Sequence, residues 1–144
     1  MSEQATPWSD EFLLGYGPMD DIHHEFVELL HAMQVVGDEV FPALLDRFAA
    51  HAEHHFAEEA AWMSAGNFPA RDCHIEEHEK VMASVREVQQ MVAGGNIEVG
   101  RRLAVALEEW FPGHATYMDS ALAQWMVKRS TGGVPLVLKR AVTT

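Results

Sequence analysis

The chain has a single cysteine, Cys73, so an internal disulfide cannot form. It is also poor in cations: 10 Lys and Arg stand against 22 Asp and Glu, a formal net charge of -12. Nucleic acid and anionic membranes bind basic patches, so neither is expected as a partner. No apolar run reaches the roughly 18 residues that a membrane-spanning helix needs, so no membrane span is expected. The first residues, Met1 to Pro7, lack the basic start and apolar core of a secretory signal. These absences together lead to the expectation of a cytoplasmic protein. Alternating strand-type patterning is missing as well, which leaves an all-α chain. At 144 residues the chain suits a single domain, 1–144, with one core.

One residue type is in excess. There are nine histidines, eight of them between His23 and His78 and the ninth at His114. Histidine is the commonest metal ligand, so their positions on the helices become the question.

Apolar residues repeat with the helical period in four segments. Residues 1–18 read as an irregular arm punctuated by Pro7, Gly15, Gly17 and Pro18, with Trp8, Phe12 and Leu13 as anchors. A first helix is predicted from about Met19 to Val36, with Met19, Ile22, Phe26, Leu29, Leu30 and Met33 as its inner stripe. A second is predicted from about Val40 to Ala65, its inner face marked by Phe41, Phe48, Ala52 and Met63. Gly66-Asn67 ends it, and Pro69 is placed to open a third helix at its first turn. That helix carries Val81, Val85, Val88 and Val92 inward and stops at Gly94-Gly95. A fourth is predicted from about Ile97 to Lys128, with Leu103, Leu107, Phe111 and Leu122 inward. Residues 129–144 read as a short tail, whose segment from Val134 to Val142 mixes apolar and basic residues. Four amphipathic helices with short links predict an antiparallel up-down four-helix bundle over 19–128.

Laid over these stripes, the histidines fall into a pattern. His23 sits between Ile22 and Phe26 on the first inner face. His55 and Glu59 are four apart on the second helix and point the same way. His74 and His78 repeat that spacing on the third. His114 follows Trp110 and Phe111 on the fourth, and Asp119 lies five residues on. A single inward histidine is more often a hydrogen-bonded core residue than a ligand, and one i, i+4 pair can be accidental. Four such features on four inner faces together point to a site, because buried polar groups are costly unless paired or metal-bound. Five imidazoles and two carboxylates suit two metals better than one. Mixed imidazole and carboxylate donors favour iron over zinc, copper or manganese.

These residues resemble the hemerythrin family. Asp20-Asp21-Ile22-His23-His24-Glu25-Phe26 is similar to the Asp-x-x-His-x-x-Leu/Phe motif of bacterial hemerythrins. His55-Phe56-Ala57-Glu58-Glu59 resembles His-Phe-x-x-Glu-Glu, and His74 to His78 matches His-x-x-x-His. Trp110 to Asp119 matches Trp-x-x-x-His-x-x-x-x-Asp. Trp8 and Gly15-Tyr16-Gly17 resemble the family's N-terminal arm, so the similarity spans residues 8 to about 126. The resemblance implies two iron ions per chain, joined by an oxo or hydroxo bridge and bridged also by Glu59 and Asp119. One iron would take His74, His78 and His114; the other would take His23 and His55 and keep a vacant position for dioxygen. The implied function is reversible dioxygen binding by a carrier, storage or delivery protein that is not an enzyme, serving some oxygen-consuming acceptor protein. An oxygen or redox sensor, an iron-handling protein, and a di-iron peroxidase or nitric-oxide-detoxifying enzyme are the alternatives. The enzyme would need an open pocket and a proton source, for which Ala115 and Tyr117 are the candidates.

Two positions depart from the family pattern. Trp110, Phe111 and Ala115 would line the oxygen pocket, but Phe111 stands where leucine is usual and Ala115 where a large aliphatic is usual. Pro112-Gly113 is also unusual inside a helix. Five residues of straight α-helix would rotate His114 and Asp119 about 140° apart, so non-α geometry is expected between about Glu108 and Asp119. The remaining histidines stand outside the motif. His54, with Glu58, is read as solvated, and His51 as a core residue beside the site. His24 and His31 have no assigned role; Glu28 with His31 is one Glu-x-x-His, where a ferritin-like site needs two. Cys73 is expected to be buried and inert.

Overall fold

The computed structural model describes residues 12–131. Trp8 and the segment from Val134 to Val142 lie outside that range. Helix α1 covers Gly17–Val35, α2 Phe41–Ala65, α3 Arg71–Ala93 and α4 Ile97–His114; a π-helical turn, Ala115–Asp119, then leads into α5, Ser120–Thr131. With α4, the π turn and α5 as its fourth rod, the molecule is a four-helix bundle, and no strand occurs among the described residues. Neighbours pack in a ring, α1 on α2, α2 on α3, α3 on α4 and α4 on α1, as short links between antiparallel helices require.

Local chemistry sets the boundaries. α1 starts two residues earlier than its apolar stripe suggests, because Pro18 sits in the first turn and the Tyr16 carbonyl accepts from Met19 and Asp20 N–H. The Asp20 carboxylate then accepts from Leu14 N–H at 2.8 Å and Gly15 N–H at 3.2 Å, tying the incoming arm to the helix. Phe12 makes the expected anchor, edge-on to Phe111 at 5.6 Å. Asn67 takes the left-handed conformation, φ 55°, that turns the chain out of α2. Pro69 does not open α3: it lies in the turn closed by Arg71 N–H on the Phe68 carbonyl, and the helix begins two residues later. Asn96 caps α4 by accepting from Val99 N–H.

At the end of the bundle near the α1–α2 link, α4 approaches closely. A Cβ on Gly100 would lie 2.4 Å from a ring carbon of Phe41, so any other residue there must displace the ring. The next residue, Arg101, donates to the Met33 and Val36 carbonyls at the end of α1, pairs with Asp38 at 2.7 Å and lies over the Phe41 ring. One cation thus closes orphan carbonyls of a helix that has no basic residue in its own last turn.

The core is divided. A large apolar cluster around Phe26, Phe41, Phe48, Val85 and Phe111 fills one part, and a smaller one around Met19, Met63, Phe68 and Leu122 fills the other. In each helix the residues that carry polar side chains inward lie between members of the two clusters, as His23 does between Met19 and Phe26. Cys73, expected to be buried, is exposed: it precedes the inward His74 by one residue, about 100° around the helix.

Candidate metal centre

Seven polar residues are buried among the described residues: His23, His55, Glu59, His74, His78, His114 and Asp119, each at most 5% exposed. They are the seven singled out from the sequence, and they converge in one layer. Glu59, His74, His78, His114 and Asp119 place one donor atom each within 4.8 Å of one another, and His23, His55 and Glu59 form a second such group.

The carboxylates join the two groups. Glu59 Oε2 lies 2.9 Å from His55 Nε2 and 3.2 Å from His23 Nε2, while its Oε1 lies 3.5 Å from His74 and His78 Nε2. Asp119 Oδ1 lies 2.9 Å from His74 Nε2 and 3.1 Å from His114 Nε2, and its Oδ2 lies 3.1 Å from His23 Nε2. Each carboxylate therefore turns one oxygen to two imidazoles of the His74, His78 and His114 group and the other oxygen to the His23 side.

Helix spacing explains most of this convergence. His55 with Glu59, and His74 with His78, are one α-turn apart on inner faces. His114 and Asp119 are five apart, and the π turn supplies the match: Ser120 N–H bonds to the Ala115 carbonyl, five residues back. Residues five apart then stack as residues four apart do in an α-helix. The distortion falls within the expected window, although it begins three residues after Pro112, which itself sits inside α4.

The charges are strongly coupled. Burial pulls the His23 imidazole down, but Asp119 and Glu59 outweigh it and raise it to about 10. His74 is raised to about 9 against the same burial by the same two carboxylates. Burial, together with the neighbouring His74 and His114, lowers His78 to about 3 despite the pull of Glu59. Burial and mutual repulsion push Glu59 up, but His55 and His23 hold it well below the usual carboxylate range. Asp119 is likewise held low against burial by His114, His23 and His74.

The donor set fits metal ions. His78 and His114 point Nε2 at Nε2 across 3.1 Å, where two lone pairs would repel unless a proton or a cation lies between. Glu59 Oε1 and Asp119 Oδ2 are buried with imidazole nitrogens nearby but no well-formed hydrogen bond, an arrangement that a cation would satisfy. Nitrogen and carboxylate oxygen in this mixture, five to two, are the donors of a transition-metal site.

The residues expected to line an oxygen pocket separate. Phe111 is buried with its ring 5.1 Å from His23 and 5.4 Å from Phe26, and Ala115 is buried one turn on. Trp110 instead stacks on His114, centroids 4.3 Å apart at 25°, with Nε1 donating to Glu77. Tyr117 is 82% exposed, so it faces solvent and not the layer. His54 is exposed, as expected, and His24 is exposed beside Glu28. His51 packs against Phe26 and His55 with Nδ1 3.6 Å from Glu25, and burial beside His55 lowers its pKa. Glu77 is the contact that sequence reasoning missed: it sits between His74 and His78 in the chain but reaches across to α4.

Comparison with known proteins agrees with this arrangement. Residues 14–126 match the family model of the hemerythrin HHE cation binding domain. A bacteriohemerythrin of Ralstonia nicotianae is 43% identical over 122 residues, covering 85% of this chain and 89% of that protein. A bacteriohemerythrin of Stenotrophomonas maltophilia is 24% identical over 120 residues, covering 81% and 78%. No solved structure matches the chain significantly. With its seven-residue polar layer inside a four-helix bundle, the chain belongs to the hemerythrin family.

Proposed function

We propose that the polar layer holds two iron ions and that the protein binds dioxygen reversibly. The observation that carries this reading is the placement of Glu59 and Asp119, each with one oxygen toward either histidine group. A paired site needs such bridging carboxylates, and a single-metal site does not. His74, His78 and His114 would hold one ion, and His23 and His55 the other, which thus has one protein nitrogen fewer and room for a small ligand. A reduced iron pair would supply the electrons that bind dioxygen and take them back on release.

The chain's own part is to hold and to shield. The π turn fixes Asp119 so that both of its oxygens face inward. Phe111 and Phe26 pack on the His23 and His55 rings and exclude water from that side. A dry apolar surround protects a charge-separated adduct from protonation and loss. The exposure of Tyr117 removes one proposed proton source, which favours binding over turnover.

Iron-replete protein should contain two irons per chain by elemental analysis, and the reduced form should take up one dioxygen per chain and release it under vacuum. One metal per chain, or uptake that ends in steady consumption of peroxide, would contradict the proposal.

A further inference from the structure

The five candidate ligand histidines share one feature: each turns Nε2 into the layer and leaves Nδ1 buried on the outside, with no hydrogen-bond partner. A metal-bound imidazole usually donates that outer N–H to a carboxylate, a carbonyl or water, which fixes its tautomer and strengthens it as a ligand. Among the described residues, His114 is the only one of the five with a carboxylate facing its Nδ1. Glu77 Oε1 stands 3.7 Å away.

Glu77 is itself held in place. The same Oε1 accepts from Trp110 Nε1 at 3.3 Å, and the Trp110 ring lies nearly parallel against His114. The imidazole is thus clamped on a face by the indole and approached at its outer edge by the carboxylate that the indole orients. Glu77 comes from α3 and the other two from α4, so the clamp spans two helices that each contribute ligands. The carboxylate is one-third exposed while His114 is only 2% exposed, so it keeps its hydration as it faces a buried ring. Closing 3.7 Å to the usual charge-assisted N–H···O distance of about 2.8 Å takes a shift of under about 1 Å, within reach of a side chain at the surface.

We infer that Glu77 is a positioning residue for His114: it accepts the Nδ1–H, fixes the tautomer that turns Nε2 inward, and raises the ligand strength of the three-histidine half of the site. Trp110 orients Glu77 and stops the ring from rotating. This rests on the two-metal reading above, and it makes the two halves unequal in their outer support: His114 has a carboxylate partner, while His23 and His55 have none.

The test compares wild type, Glu77→Ala and Glu77→Gln as full-length metal-free protein titrated with cobalt(II) against a chelator, alongside the 15N–1H signal of His114 Nδ1. Glu77→Ala should weaken cobalt binding at the tighter half by about ten- to a hundred-fold. Glu77→Gln, whose amide oxygen still accepts from both N–H groups, should recover most of that loss. The Nδ1–H signal should be observable in wild type and lost to solvent exchange in Glu77→Ala, with little change in the melting point of the metal-free protein. Affinity within twofold of wild type in Glu77→Ala, or an unchanged Nδ1–H signal, overturns the inference. If wild type takes up no cobalt pair at all, the two-metal reading fails, and the Nδ1–H signal still decides the role of Glu77.

Discussion

His114 Nε2 lies 3.1 Å from Asp119 Oδ1 although five residues separate them, and the π turn between them makes that distance attainable. Without it, a straight helix would send one of the two out of the bundle. The convergence of His114 and Asp119 therefore depends on a local departure from α geometry as much as on residue identity, and the carboxylates are where the proposed metal pair can be tested.

Asp119→Ala and Glu59→Ala should each reduce metal content from two ions per chain to one or fewer, because each removes the link between the two histidine groups. Glu58→Ala and His54→Ala, one half-buried and one exposed on α2 outside the polar layer, should keep both ions. Elemental analysis of the four variants checks this; two ions retained in Asp119→Ala would contradict the bridging role.

Phe111→Ala should cost roughly 3–5 kcal/mol of stability, because it empties a fully buried ring site between Phe12, Phe26 and His23. It should also open the His23 side to water and speed the loss of the oxygenated form. Denaturant melts and the decay of the visible spectrum measure the two effects. A normal decay rate with a lowered stability would mean that Phe111 is packing only.

Far from the site, Gly100→Ala should act on stability alone. Its new methyl would overlap Phe41, an overpacking that costs roughly 1–3 kcal/mol and lowers the melting point by roughly 2–4 °C for each kcal/mol. Metal content should remain that of the wild type. Loss of metal would show that the two ends of the bundle are more tightly coupled than the divided core suggests.

Metal and protons should compete. His23, raised to about 10, and His74, raised to about 9, are protonated at pH 7 in the metal-free protein, whereas a ligand imidazole must be neutral. Loading at pH 7 should release about two protons, and the apparent affinity should climb with pH until about 10. The stability of the metal-free fold runs the other way. The raised pKa values stabilise it fully below 6.5, and that contribution is lost as pH rises through about 9 and 10. Titration in weak buffer with a pH indicator counts the protons; release of none would contradict the ion-pair arrangement.

Much of this was readable from the chain. His55 with Glu59 and His74 with His78 follow from one α-turn of spacing on an apolar face, and the five-residue gap from His114 to Asp119 requires a distortion because straight α-helix would turn the two about 140° apart. What could not be read were relationships between helices. Arg101 reaches the carbonyls of α1, and Glu77 reaches Trp110 and His114, through rotations that no single helix period specifies. Cys73 is exposed although free cysteines are usually buried, because it stands about 100° around α3 from the inward His74. Trp110 looked equivalent to Phe111 from the stripe alone, yet the 100° between them sends one to His114 and the other to His23.

The most direct test is the absorption spectrum of the iron-loaded, reduced protein before and after air, followed by removal of oxygen. The account predicts a nearly colourless reduced form, a visible charge-transfer band on exposure to air, and return to the colourless form under argon through repeated cycles. A spectrum that does not change in air, or one that bleaches irreversibly as iron is lost or peroxide is consumed, would contradict it.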